Sequence, residues 1–335
     1  MAFKYNEVRL DKGMYGVSGK SFVSVLEEQD PSEAYIGTAM EGMDAYQRQL
    51  KRFDIRVRGA NSDSVEKFFH SSESAVLFPE YVSRSVRQGM EEQNILPGIV
   101  AATTKIDGLD YRTITSVPED EDKAMKHVAE GAAIPQTEIR AQDKLVSLHK
   151  RGRMLVASYE AIRFQRLELF SVMLRQIGGH IARMHLDDAV QVLMKGDGNR
   201  NPAAVTKSSG VSYDTLVSFW GSFDPYTMNT MLVSPDMMLK LLKLTELRNP
   251  AAGLNFDGSG DIGSPLGARI IRSSCVPEKT ILGLDKGYAL EMVCAGDVNV
   301  EYDRLIDRQL ERAAITSTSG FAKLYTDASR VLETE

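Results

Sequence analysis

The longest hydrophobic repeat in the chain runs from Tyr159 to about Met194. Over this proline-free stretch Leu167, Phe170, Leu174, Ile177, Ile181, Met184, Ala189 and Val192/Leu193 recur at steps of three and four. That spacing puts them on one face of an α-helix. Arg163, Arg166, Glu168, Arg175, Arg183, Asp187 and Asp188 fall mostly off the face. Lys195-Gly196-Asp197-Gly198-Asn199 closes it with a basic last turn and glycine, a helix-stop signature. The steps do not keep strict heptads, so the pattern predicts a single strut over 159–194 rather than a coiled coil. At about 1.5 Å per residue the strut is roughly 50 Å long. Gly178-Gly179 interrupts it, and each glycine costs about 1 kcal/mol relative to alanine. Two readings stand for that pair: another element packs closely there, or the helix bends there.

Before the strut the patterns are shorter. Residues 1–70 hold only small pieces: Ser21–Glu28, a turn at Asp30-Pro31-Ser32-Glu33, and an amphipathic stretch at Thr38–Phe53. They read as an arm that lies on something else. Phe78-Pro79-Glu80 leads a short helix over Tyr81–Met90. Thr103–Ile106, Tyr111–Thr115, Lys144–Leu148 and Gly152–Ala157 alternate as strands do. They predict a long two-stranded ribbon over about 105–150, with an acidic tip at Glu119, Asp120, Glu121 and Asp122. A ribbon with so few large apolar residues is marginal by itself, so it packs on the body or on another molecule.

After the strut, Thr230–Ser234, Ala268–Ile271, Thr280–Leu284 and Tyr288–Val293 read as short strands, and Met237–Leu247 as a helix. They suggest an inserted α/β unit over about 199–295. Val298–Tyr302 and Ala313–Leu324 return to strand and are expected to pair with the ribbon or the body.

The 335 residues allow about two domains and a large core. With 43% hydrophobic and 26% charged residues the composition is that of a soluble globular protein. The net charge of −6 argues against a sequence-reading DNA binder, leaving only weak, non-specific nucleic-acid contact. Cys275 and Cys294 are too few for a disulfide framework or a zinc site. No stretch has a membrane span's apolar length and no signal-peptide core is visible, so synthesis in a reducing cytosol is expected.

The candidate chemical motifs fail on spacing. In Gly13-Met14-Tyr15-Gly16-Val17-Ser18-Gly19-Lys20-Ser21 the phosphate loop's first glycine would fall on Met14. Asn255–Asp261 starts like a calcium loop, but its twelfth position is Leu266 rather than glutamate. Lys195–Asn201 is taken as a helix stop only. His180 and His185 are five apart, not the four of a helical metal pair. Neither a cofactor nor a catalytic set is expected.

The ordered set of parts resembles the major capsid protein of tailed double-stranded DNA bacteriophages, a fold shared with encapsulin shells. The likeness covers about 71–327. It rests on Ala129-Glu130-Gly131 and Ile134-Pro135 in the ribbon, the strand Leu145–Val156, and the strut ending at Met194–Asn199. After these come Leu232-Val233-Ser234-Pro235-Asp236, Leu266–Ile271, Gly283–Tyr288, and the run from Val300–Arg304 to Tyr325.

The resemblance implies an α+β phage-capsid fold. It has an N-terminal arm (1–70) and a peripheral domain (71–104, 151–197 and 296–335) built on a spine helix (159–194). An extended loop spans 105–150 and an inserted axial domain 198–295. It implies a structural protein, not an enzyme, that assembles through pentamers and hexamers into an icosahedral head. The implied partners are copies of itself, packaged double-stranded DNA, and portal, scaffolding and decoration proteins, with no membrane. The head would be assembled in the host cytoplasm and would become the virion capsid. Gly178 and Gly179 would let the spine helix bend in a precursor shell. The charge run Glu119–Asp122 itself reads as a solvated tip, with charge pairing to a neighbouring subunit as the sharper alternative.

Some relatives join subunits by a lysine–asparagine bond between extended loop and peripheral domain. Lys123 and Lys126 lie on the loop, but 300–335 contain no asparagine, so no such cross-link is expected. Some relatives also carry an N-terminal scaffolding domain, for which the arm is short. One alternative is an encapsulin-type compartment around a cargo enzyme, whose helical N-terminus differs from a loose arm. A two-domain α/β enzyme is the other, and no nucleotide loop, metal cluster or nucleophile elbow supports it.

Overall fold

The computed structural model describes residues 4–17, 19–116, 127–128, 130, 139–158, 163–248, 263–296, 298–305 and 310–335. The longer described helices are α1 (Phe22–Gln29), α2 (Ala45–Arg52), α3 (Phe78–Glu92), α4 (Leu167–Lys195), α5 (Tyr213–Gly221) and α6 (Pro235–Leu241). The first six strands are β1 (Ala102–Ile106), β2 (Ile114–Ser116), β3 (Ile139–Ala141), β4 (His149–Ser158), β5 (Ala204–Ser208) and β6 (Thr230–Val233). The remainder are β7 (Arg269–Arg272), β8 (Thr280–Leu284), β9 (Leu290–Ala295), β10 (Asn299–Leu305), β11 (Leu310–Lys323) and β12 (Ser329–Thr334). The chain divides into one unit of 1–93, 151–182 and 298–317 and another of 94–150, 183–297 and 318–335.

In the first unit one core gathers residues far apart in sequence. Val8, Leu10, Phe22, Leu26, Tyr46, Leu50 and Phe68 pack with Phe78, Tyr81, Val82 and Val86 of α3, Leu167, Leu174 and Ile181 of α4, and Ile315 of β11. The segment expected to be an arm without a core is thus folded into this one. Its apolar residues sit on pieces of one or two turns; the amphipathic stretch at Thr38–Phe53 is visible in the pattern, but its packing on the distant α3 and α4 is not. Local chemistry fixes the pieces. Ser21 Oγ caps α1 by accepting the Ser24 N–H at 3.1 Å, and Asp44 and Gln47 form a capping box on α2.

A buried ion pair ties these pieces together. Arg48 is wholly buried; its Nε donates to Asp30 Oδ2 at 2.6 Å and its Nη1 to the Met43 carbonyl at 2.6 Å. The Tyr35 hydroxyl donates to Asp30 Oδ1 at 2.6 Å, and the guanidinium stacks 4.3 Å from the Tyr35 ring centre. With hydrogen bonds on every side, the pair meets the condition for burying charge.

The spine helix opens at Leu167, where its periodicity predicts a start at Tyr159; residues 159–162 lie outside the described residues. The Val65 N–H donates to the Gln165 carbonyl at 2.9 Å and the Leu167 N–H to the Asp63 carbonyl at 2.8 Å. Ser64 and Arg166 make an isolated antiparallel bridge. Strand-like pairing therefore holds Gln165 and Arg166, which the pattern assigns to helix. Met184 is 43% exposed, while Leu186 and Val190 are buried in its place. In the same unit β10 pairs antiparallel with β11, with Val300 opposite Ile315, and β4 also pairs with β11.

The second unit holds a five-stranded sheet in the order β5-β12-β8-β6-β7. β12 runs parallel to β5 and antiparallel to β8, and β6 runs antiparallel to β8 and parallel to β7. Residues 329–334, read from sequence with the peripheral domain, are an interior strand of this sheet. Val331 and Leu332 are buried there at 1% and 0% exposure, but two apolar residues among polar ones give no alternation to read. α5 and α6 supply Leu216, Phe219, Met237 and Leu241 to a core under the sheet. β1 pairs parallel with β9, and β9 antiparallel with Ser319–Lys323 of β11. β1 is therefore a sheet strand rather than part of the ribbon.

Candidate functional site

Of the ribbon predicted over about 105–150 the structure describes one short strand pair; Lys144–Leu148 is not in a strand, and Gly152–Ala157 belongs to β4, which pairs with β11. β2 and β3 pair antiparallel with Ile114 opposite Ala141 and Ser116 opposite Ile139. Residues directly opposite, and residues two apart on one strand, share a face, so Ile114 and Ile139 lie on the same side. They are 61% and 71% exposed, which makes this an outward-facing apolar surface. The acidic tip Glu119, Asp120, Glu121 and Asp122, with Lys123 and Lys126, lies outside the described residues.

The return leg of the ribbon is tied to the loop that ends α4. Gly196, at φ +83°, turns the chain out of the helix. Asn199 Oδ1 then accepts the Lys144 N–H at 3.0 Å, and its Nδ2 donates to Gln142 Oε1 at 2.7 Å. Gln142 Nε2 donates to the Lys323 carbonyl at 3.0 Å. Asp197 accepts the Lys323 N–H at 2.9 Å through Oδ2 and the Asn199 N–H at 3.1 Å through Oδ1. Read from sequence as a helix stop alone, Lys195–Asn201 is also the ribbon's anchor. The Gly-Asp-Gly-Asn spacing was legible; its partners, more than 50 positions away, were not.

Lys323 is itself wholly buried. Its Nζ donates to the Leu193 carbonyl at 3.2 Å in the last turn of α4, where a cation suits the helix dipole. Burial lowers the amine to about 8, against the opposing pull of Asp197 and Asp327.

Gly178 and Gly179 sit where α4 meets α3. A Cβ added at Gly178 would stand 2.7 Å from the Met90 nitrogen and 3.0 Å from the Gly89 carbonyl carbon. Gly89 faces the Arg175 backbone in the same way. The contact is backbone on backbone and glycine on both sides makes it possible. Gly179 instead meets the side chain of Gln93. Around the crossing the Tyr81 hydroxyl donates to the Leu167 carbonyl, and Phe170 stacks with Phe78 and Tyr81 at 6.2 and 6.5 Å between ring centres. Of the two readings open from sequence, this geometry supplies the contact that close packing needs at Gly178, and the bend is a separate proposal.

In the phosphate-loop lookalike, Gly19 has φ +74° and Ser21 is spent as the α1 cap. The calcium-loop lookalike lies outside the described residues. Among the described residues no group of three or more His, Cys, Asp or Glu side chains is placed to hold a metal ion, and no helix is long and apolar enough to cross a membrane.

A family model described as phage capsid protein matches residues 141–321. In structure, the capsid of a native GTA particle is similar at a TM-score of 0.54 and 14% identity, over 83% of this chain and 95% of that one. The capsid of cyanophage P-SCSP1u gives 0.54 and 14%, over 71% and 87%. A virus-like particle from Pyrococcus furiosus gives 0.53 and 14%, over 76% and 98%. At these identities the likeness is one of fold. No curated protein matches this chain in sequence.

Proposed function

We propose a function from one premise: the chain belongs to the phage capsid protein family, whose model matches residues 141–321. It is a capsid shell protein. In our reading, copies assemble through pentamers and hexamers into an icosahedral head that encloses double-stranded DNA and becomes the virion capsid. Portal, scaffolding and decoration proteins would be further partners. The observation that carries this reading is the ribbon. Its face bears Ile114 and Ile139 at 61% and 71% exposure, and a two-stranded ribbon gains little stability by itself. Laid across a neighbouring copy, that face is buried.

The finer assignments belong to the same proposal. The tip Glu119–Asp122 pairs with basic groups of the neighbour, and the segment 198–295 surrounds the symmetry axes. Gly178-Gly179 allows the spine to bend in a precursor shell. The net charge of −6 suits an interior that holds DNA weakly and without sequence preference.

Negative-stain electron microscopy of the purified protein after size exclusion tests the reading. Closed shells, or rings of five or six that close when scaffold is added, are expected. A monomer or dimer at all salt concentrations overturns it. Shells enclosing an enzyme rather than DNA would identify a cargo compartment. The double variant Ile114→Asp, Ile139→Asp is expected to keep the wild-type circular dichroism and to form no shells.

A further inference from the structure

The outgoing leg of the ribbon meets a carboxylate that the shell reading leaves unused. Glu291 lies on β9 and is 5% exposed. Thr104 of β1 donates its hydroxyl to Glu291 Oε1 at 2.5 Å, and the Tyr111 hydroxyl donates to the same oxygen at 2.8 Å. The Thr113 hydroxyl donates to Oε2. After β1 ends at Ile106, residues 107–110 are exposed; the chain then returns to Glu291 before it leaves again as β2. The departure is abrupt, since Thr113 is 1% exposed and the next residue, Ile114, 61%.

We propose that Glu291 is a latch that fixes the point and direction at which the ribbon leaves the sheet, and so is a positioning residue for assembly. The inference rests on the shell reading above. A buried carboxylate is costly unless hydrogen-bonded, and apolar packing would hold a core at least as well. What the carboxylate adds is direction. Its two oxygens draw hydroxyls from three positions onto one group, two of them on the ribbon leg.

The legs also bond to each other, Val146 N–H to the Tyr111 carbonyl and Gln142 N–H to the Thr113 carbonyl, each at 2.9 Å. Those bonds keep the ribbon double but do not fix it to β9. Tyr111 also packs beside Val146 and Val293, so the apolar contact survives loss of the latch while the alignment does not. Burial, and then the bond to Glu291, raise the Tyr111 phenol above its ordinary value, so it remains a donor.

The test compares wild type, Glu291→Gln, which keeps one acceptor oxygen, and Glu291→Ala. Three readouts are taken: thermal midpoint, hydrogen exchange of amides 111–116, and particle shape by electron microscopy. Exchange at 111–116 is expected to speed up at least tenfold in Glu291→Ala and less in Glu291→Gln, with the exchange of β8 and β12 unchanged. Particles of Glu291→Ala are expected to be open or irregular, and Glu291→Gln is expected to recover part of the closed-shell yield. If Glu291→Ala does not fold, Thr113→Val, which removes one donor at nearly constant shape, carries the same readouts. Wild-type exchange at 111–116 together with normal shells overturns the latch. A wild type that forms no shells at all counts against the shell reading, and the exchange measurement then decides the latch separately.

Discussion

The glycine crossing of α3 and α4 allows a prediction with its magnitude. Replacing Gly178 by alanine places a Cβ 2.0 Å from the Val86 carbonyl oxygen, where real Cβ atoms stay beyond about 3.0 Å. The obstacle is backbone, so no rotamer change relieves it, and the helices must part by about 1 Å. That opens the layer formed by Phe78, Tyr81, Phe170 and Leu174. Overpacking of this kind costs about 1–3 kcal/mol, and a backbone clash belongs at the upper end. Alanine returns about 1 kcal/mol of helix propensity. The net expectation is a loss of about 2 kcal/mol, or a fall of roughly 4–8 °C in thermal midpoint for a unit of this size.

Gly179→Ala is the internal control. Its Cβ meets the flexible end of Gln93, with the nearest amide nitrogen 2.7 Å away, and that side chain can swing aside. It is expected to be neutral or to gain up to about 1 kcal/mol. Differential scanning calorimetry of both variants checks the pair. A Gly178→Ala protein as stable as wild type refutes the close crossing. If Gly178→Ala, Gly179→Ala assembles and matures like wild type, the bend loses its support.

Lys323 gives a pH signature. Its folded value of about 8 lies below the ordinary 10.5, so between these pH values the unfolded chain binds more protons and stability rises with pH. The full interval corresponds to about 3 kcal/mol. Lys323→Met is expected to remove this component, raising the thermal midpoint at pH 7 and narrowing its advantage by pH 10; equal pH slopes for variant and wild type would contradict it. Arg48→Met leaves Asp30 buried without its cation, a loss of about 3–5 kcal/mol. Trypsin is then expected to cut first within residues 1–60, and cleavage elsewhere first would show that the pair does not hold that segment.

What was legible in the sequence was whatever a single element declares by itself. The spine helix from Leu167 onward carries its own period, β6 and β8 are short apolar runs, β10 and β11 were readable as strands though not as each other's partners, and the ordered set was enough to bring a capsid fold into view. What was hidden depends on partners distant in the chain. Leu167 begins the helix because residues 63–65 take up the backbone before it. The N-terminal segment has a core because its apolar residues meet α3 and α4, and Arg48 can be buried beside them because it finds Asp30. Gly178 is a contact because Gly89 faces it, and Asn199 is an anchor because Gln142 and Lys144 return to it.

These hidden features have one physical cause. Each is a polar group or a glycine whose burial is tolerable only with a specific partner, and no local period marks that dependence. The ribbon shows both sides. Its shortage of large apolar residues was readable as a ribbon that must lie on something, whereas the exposed face of Ile114 and Ile139 and the groups that aim it, Asn199 and Glu291, were not, since the last two look in sequence like any loop asparagine and strand glutamate. On the proposed shell reading, the apolar face supplies contact area, and the aimed root supplies the direction that brings it to the same place on each neighbour. On the same reading, the two kinds of variant separate these roles: Ile114→Asp, Ile139→Asp removes the contact and with it the shells, whereas Glu291→Ala leaves the contact but not its direction, and particles form without closing.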